Sequence, residues 1–249
     1  MFGMNDPAQT LLQLERYVLE GRMEMSEVMA TQFTEMFLAQ KKRTADNQIM
    51  LVKGLRILCD VFLAREKVKR AVASVKILHR ERKKLIRMLK SGAPQLLEKM
   101  TPPAEDYRRA GKIYAKAGKK SGAMKAFATC EKLSSGHVAS AMEACQLLGY
   151  EKKLVNRFLS TIKSAGPVIL YNGKFLFQPL HLPEVDAQQV QTVLKEAIQS
   201  GVGNSDECEL LIKSIAEEIG AIQRGEAAAN SRLEAAMDLL KPQHDYYEY

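Results

Sequence analysis

The chain has 249 residues, 46% of them hydrophobic and 27% charged, with a formal net charge of +8. This length buries a core without disulfides or metals, and the composition excludes a disordered or fibrous chain. The apolar runs fall well short of a bilayer-crossing helix, and the start, Met-Phe-Gly-Met-Asn-Asp-Pro, lacks the basic segment and apolar run of a secretory leader.

Leu11, Leu14 and Val18 recur at helical spacing between Gln9 and Arg22, and Gly21 stops that helix. The second helix, with Ser26 as its expected cap, presents Met29, Phe33, Met36 and Phe37 before the Lys41-Lys42-Arg43 break. Six of the twelve methionines fall in the first forty residues; this adaptable surface suits a core first and a partner groove second. Thr44 or Asp46 opens a third helix running to Arg65, apolar nearly all round and therefore expected deep in the core. The fourth, from Lys67 to Lys90, sets an apolar stripe against a dense basic face and ends at Ser91-Gly92-Ala93-Pro94.

Thr101-Pro102-Pro103 is the clearest internal boundary, because consecutive prolines cannot continue a helix. Beyond it, glycines separate short helices at 104–117, 121–133, 137–148 and 151–164, a helical-hairpin rhythm. The one period-two segment runs from Pro167 to Pro179, with Asn172-Gly173 as a two-residue turn that pairs Val168 with Phe177 and Leu170 with Phe175. Helices are expected again at 185–200, 205–224 and 226–240. The expected organisation is all-α: a four-helix region (1–100), repeat-like hairpins (101–166), a small β-hairpin (167–183) and an acidic helical region (184–249).

Charge is segregated along the chain. Residues 41–90 carry 16 basic and 4 acidic side chains, whereas 184–249 carry 5 and 13. On the fourth helix, Lys69, Arg70, Lys76, Arg80, Arg82, Lys83, Lys84 and Arg87 are candidate contacts for phosphates, anionic head groups or an acidic protein. Arg108, Arg109, Lys112 and Lys116 extend the set downstream. Neither cluster contains tryptophan or much aromatic interleaving, so backbone or shape recognition is expected over base stacking.

Catalytic and metal chemistry find little footing. Cys130, His137 and Cys145 lack the close pairs that seed a zinc site, Gly118-Lys119-Lys120-Ser121 lacks the upstream glycine of a phosphate loop, and Glu217-Glu218 reads as a solvated pair. Four well-separated cysteines suit reduced, buried thiols in the cytoplasm. We expect no catalytic residues, no metal and no cofactor.

Tyr107, Ala110-Gly111, Tyr114, Gly118, Ala123, Phe127 and Cys130 alternate large, small and aromatic residues at regular intervals. Residues 104–137 thereby resemble about one copy of a tetratricopeptide repeat. Ser135 stands where that family commonly has proline, and Tyr107 where it prefers tryptophan. A second copy would align Gly149 with Gly118 and Phe158 with Phe127, but it puts Leu154 where Ala123 should be small. The resemblance implies a helix crossing built on Gly111, Tyr114, Gly118, Ala123 and Phe127, and a peptide- or protein-binding scaffold. A non-enzymatic adaptor, chaperone or assembly subunit, which could self-associate, is therefore the first expectation. The alternative is an RNA-binding or anionic-membrane-associated protein acting through the basic middle.

Overall fold

Asp6 and Pro7 start the first helix for separate reasons. The Asp6 carboxylate accepts from the Ala8 N–H, and Pro7 at the first helical position loses no hydrogen bond by lacking an N–H. The computed structural model describes residues 6–98, 102–165, 169–171, 174–176, 182–202 and 204–224. The chain divides into two compact units, Met1–Ala126 and Phe127–Tyr249.

The first unit contains α1 (Pro7–Leu19), α2 (Met23–Leu38), α3 (Ala45–Ala64), α4 (Val68–Gly92), a single turn α5 (Gln95–Glu98) and α6 (Pro103–Lys116). The division falls inside α7 (Lys120–Leu133). Thr44 caps α3 by accepting from the Asn47 N–H at 3.2 Å, as its position in the sequence suggests. Ser26 is a correction. It lies inside α2, and its hydroxyl donates to the Arg22 carbonyl one turn back, so it caps nothing.

α3 is the axle of this unit, packing on α1, α2, α4 and α6. Its buried Leu51, Leu55, Cys59 and Phe62 meet Phe33 and Phe37 of α2 and Val75, Leu78 and Leu85 of α4. Each fully buried leucine or phenylalanine contributes roughly 1.5–3 kcal/mol. Gly54 allows α2 and α3 to come this close: a Cβ there would lie 2.7 Å from the Phe33 ring. Of the methionines, Met29 and Met36 pack against the core, whereas Met25 of α2 is half exposed.

The second unit contains α8 (Val138–Leu148), α9 (Lys152–Ser164), β1 (Ile169–Tyr171), β2 (Lys174–Leu176), β3 (Val185–Asp186), α10 (Ala187–Gln199) and α11 (Ser205–Gln223). Leu170 pairs with Phe175 as the turn chemistry predicts. The Val168–Phe177 pair, the Asn172-Gly173 turn and the 226–240 helix lie outside the described residues. The hairpin is also not alone, because β3 adds antiparallel to β2. Val185 therefore belongs to a strand, not to the helix assigned to it from sequence. Asp186 ends that strand and caps α10 through the Gln189 N–H.

α10 packs on α8, α11 and β3. The Glu217-Glu218 pair is not solvated as a pair: Glu217 is exposed, but Glu218 is fully buried on the inner side of α11. All four cysteines are buried thiols. No helix among the described residues is long and apolar enough to cross a membrane.

Candidate functional site

α4 separates its side chains by face. Val72, Val75, Leu78, Leu85 and Leu89 face the core, and so do two charged residues, Glu81 and Arg82. Glu81 is fully buried, and the groups around it are nearly all donors. Its carboxylate accepts from Gln48 and Arg43, each at 3.1 Å, from Lys84 at 3.0 Å and from Arg80 at 2.9 Å. Burial pushes this carboxyl up, but the hydrogen bonds from Gln48, Lys84 and Arg80 outweigh it and hold the group at about 2.

Arg82 is the main correction to the basic face assigned from sequence. It is 5% exposed and turns inward, with Nη1 at 3.8 Å from Asp106 Oδ2. Asp106 of α6, also buried, takes a two-pronged bond from Arg56 of α3 at 2.6 and 3.1 Å. Arg109 approaches Asp106 to 3.6 Å and itself grips Asp60 at 2.6 and 2.8 Å. Beside this cluster the His79 ring lies 4.6 Å from that of Tyr107, and burial pushes the His79 pKa down. These polar residues join α3, α4 and α6 through buried charge.

The α6 cations are similarly engaged. Arg108 pairs with Glu105 at 3.1 Å, and Lys112 is half-buried. Asp60, Glu105, Arg108, Arg109 and Lys112 line a cavity of about 130 Å³ where three cations meet two acids, leaving little net charge for a ligand. Lys116 alone of the four α6 candidates is exposed.

At the start of α4, Glu27 draws in Lys67 (2.7 Å), Arg65 (2.9 Å) and Arg70 (3.2 Å), fastening the α3–α4 turn to α2. Hydrogen bonds from Lys67 keep the Glu27 carboxyl below its ordinary value.

The outward face is different. Glu81 is the only acid in α4 and it is buried, so no acidic side chain of this helix reaches solvent. Lys69, Lys76, Arg80, Lys83 and Arg87 share one exposed helical face, flanked by Lys84 and Lys90. Among the described residues, no acid pairs with Lys69, Lys76, Lys83, Arg87 or Lys90. Each cation stands on a helix whose other side is fixed in the core, so the array is rigid at the backbone. The local reason is the sequence itself: apolar residues at three- and four-residue spacing seat α4, and lysine or arginine fills most positions between them.

The positions that carry the repeat resemblance are divided by the boundary within α7. Gly111 and Ala123 are buried in the first unit, where the Tyr114 ring lies 3.5 Å from a Cβ placed on Gly122. Gly118 takes φ +69 in the α6–α7 turn, a conformation glycine supplies at little steric cost. Phe127 and Cys130 are buried in the second unit. His137 is occupied as the α8 cap, its Nδ1 accepting from the Ser140 N–H at 3.2 Å. Among the described residues, no three His, Cys, Asp or Glu side chains group as a metal site would require. Comparison with protein-family models, curated proteins and solved structures finds no match to this chain.

Proposed function

We propose that this protein is a non-enzymatic, cytoplasmic binding scaffold whose working surface is the outward face of α4, and that this surface holds a polyanion. The observation that carries the reading is the row of exposed cations on a helix with no exposed acid. A face that merely solubilises does not require a single sign of charge: neighbouring like charges repel, and opposite signs interspersed solubilise without that cost. Phosphates or carboxylates laid along the row would relieve that repulsion and release counterions. The helical-hairpin organisation supports a scaffold, and the buried cysteine thiols fit a reducing compartment.

Retention of the full chain on immobilised heparin tests this. Replacing Lys76, Lys83 and Arg87 with glutamine should lower the salt needed for elution. Replacing exposed Lys132, Lys152 and Lys153 of the second unit, an equal change in net charge, should lower it much less. Equal shifts for both variants would show a net-charge effect with no site on α4.

A second reading, a protein partner, has an observation of its own. Leu12 (65% exposed) and Leu19 (89%) lie on one face of α1, and Met25 and Val28 of α2 are also exposed. Sedimentation of the wild type against a Leu12→Ser/Leu19→Ser variant reports whether that face drives association.

A further inference from the structure

The row on α4 has a length, a stiffness and a chemistry, and together they narrow the polyanion. From Lys69 to Lys90 the helix rises about 32 Å, close to the roughly 34 Å of one turn of a B-form DNA duplex. The cations sit at fixed intervals, because Val72, Val75, Leu78, Leu85 and Leu89 anchor the opposite side of the same helix. Such a ruler gains most from a partner whose charges are equally regular and stiff. A flexible acidic chain would have to be ordered on it at an entropic cost.

Side-chain chemistry narrows it further. α4 contains no phenylalanine, tyrosine or tryptophan, so it offers no platform for the base stacking on which single-strand binders depend. It also contains no asparagine or glutamine to pair with adenine and no exposed carboxylate to accept from cytosine, so of the base edges its arginines and lysines match guanine alone. Its apolar side is spent in the core, so it has nothing to insert into a bilayer.

We infer that α4 lies against the sugar-phosphate backbone of double-stranded nucleic acid and grips it through Lys69, Lys76, Lys83, Arg87 and Lys90 without regard to sequence. The inference rests on the polyanion reading above and names its ligand. The shared chemistry is a duplex phosphate array, which DNA and RNA both supply. Arg80 and Lys84 stand beside the row but are partly committed to Glu81.

The test is fluorescence anisotropy of the full chain at low salt with labelled duplex DNA and duplex RNA of roughly 20 base pairs, about two turns. Single strands of the same length, a polyglutamate peptide and vesicles of anionic phospholipid complete the set. At least one duplex should bind about tenfold or more tighter than its single strand, with little change when the sequence is scrambled. The DNA and RNA arms identify the source. Lys76→Gln/Lys83→Gln/Arg87→Gln should weaken duplex binding with an unchanged circular-dichroism spectrum. Should that variant misfold, Lys69→Gln/Lys90→Gln at the two ends of the row serves instead.

Equal affinity for single strand and duplex would overturn the duplex assignment and leave the polyanion reading standing. Tighter binding of polyglutamate or of vesicles would overturn it in favour of an acidic protein or a lipid surface. Failure of every anion, heparin included, would remove the polyanion reading as well.

Discussion

α4 and α6 both carry closely spaced arginines and lysines, yet the fold uses them in opposite ways. On α6, Arg109 and Arg108 are bound to Asp60 and Glu105, and Asp106 on the same helix organises a buried cluster with Arg56 and Arg82. On α4, the two inward charges are absorbed into such networks; of the outward cations Arg80 and Lys84 reach back to Glu81, while Lys69, Lys76, Lys83, Arg87 and Lys90 meet no acid of their own helix. Density of positive charge therefore says little about binding until the acids are placed. A cation held by a carboxylate is a joint, and one with only cations beside it is open to a ligand.

The contrast can be broken at its strongest joint first. Asp106→Asn leaves the Arg56 and Arg82 guanidiniums buried without their shared carboxylate, and should cost about 3–5 kcal/mol in urea unfolding. A loss below about 1 kcal/mol would mean that the cluster is not structural.

Glu81→Gln sharpens the comparison through pH. The folded-state pKa of about 2 lies below the ordinary carboxyl value of 4.5, so the charged form stabilises the fold. That contribution, on the order of 3 kcal/mol, is fully present above the ordinary value and is lost as pH falls through the folded one. The wild type should thus exceed the variant in stability near neutrality, and the gap should narrow between about pH 5 and pH 2. A gap that does not change with pH would show that Glu81 acts by shape alone.

Arg109→Gln removes a two-pronged pair whose acid is about half exposed, and should cost about 1 kcal/mol by thermal unfolding. Smallest of all is the effect of Lys76→Gln/Lys83→Gln/Arg87→Gln on stability, which should stay within about 0.5 kcal/mol per site or improve slightly as repulsion falls. A large loss would make these residues joints too, and the difference between the two helices would vanish.

Most of the helices were legible from periodicity and breakers, because the forces that make them are local: Thr44, Gly118 and the Pro102-Pro103 break act within a turn or two, although the Asp6-Pro7 start of α1 lies two residues before the Gln9 read from periodicity. Misplaced details had non-local causes. Val185 pairs with Phe175 across the β2–β3 ladder, a partner no helical pattern around 185 reveals. Ser26 has a capping residue's chemistry, but α2 begins three residues earlier.

The candidate surface was half legible. Spacing along α4 puts Lys69, Lys76, Lys83 and Arg87 on one side, and it could also have flagged Arg82, since that position falls on the same face as buried Val75, Leu78, Leu85 and Leu89. Its counter-ion, Asp106, is supplied by another helix and has no local signal. The same holds for Glu27, which draws Arg65, Lys67 and Arg70 to α2 from far along the chain.

The most direct test of the central claim is the salt dependence of duplex binding by the full chain and by Lys76→Gln/Lys83→Gln/Arg87→Gln. If these three side chains neutralise phosphates, the plot of log affinity against log salt should be shallower for the variant by about 2.7, roughly 0.9 for each phosphate no longer neutralised. Parallel lines for the two proteins would contradict the account, because they would mean that the outward face of α4 touches no phosphate.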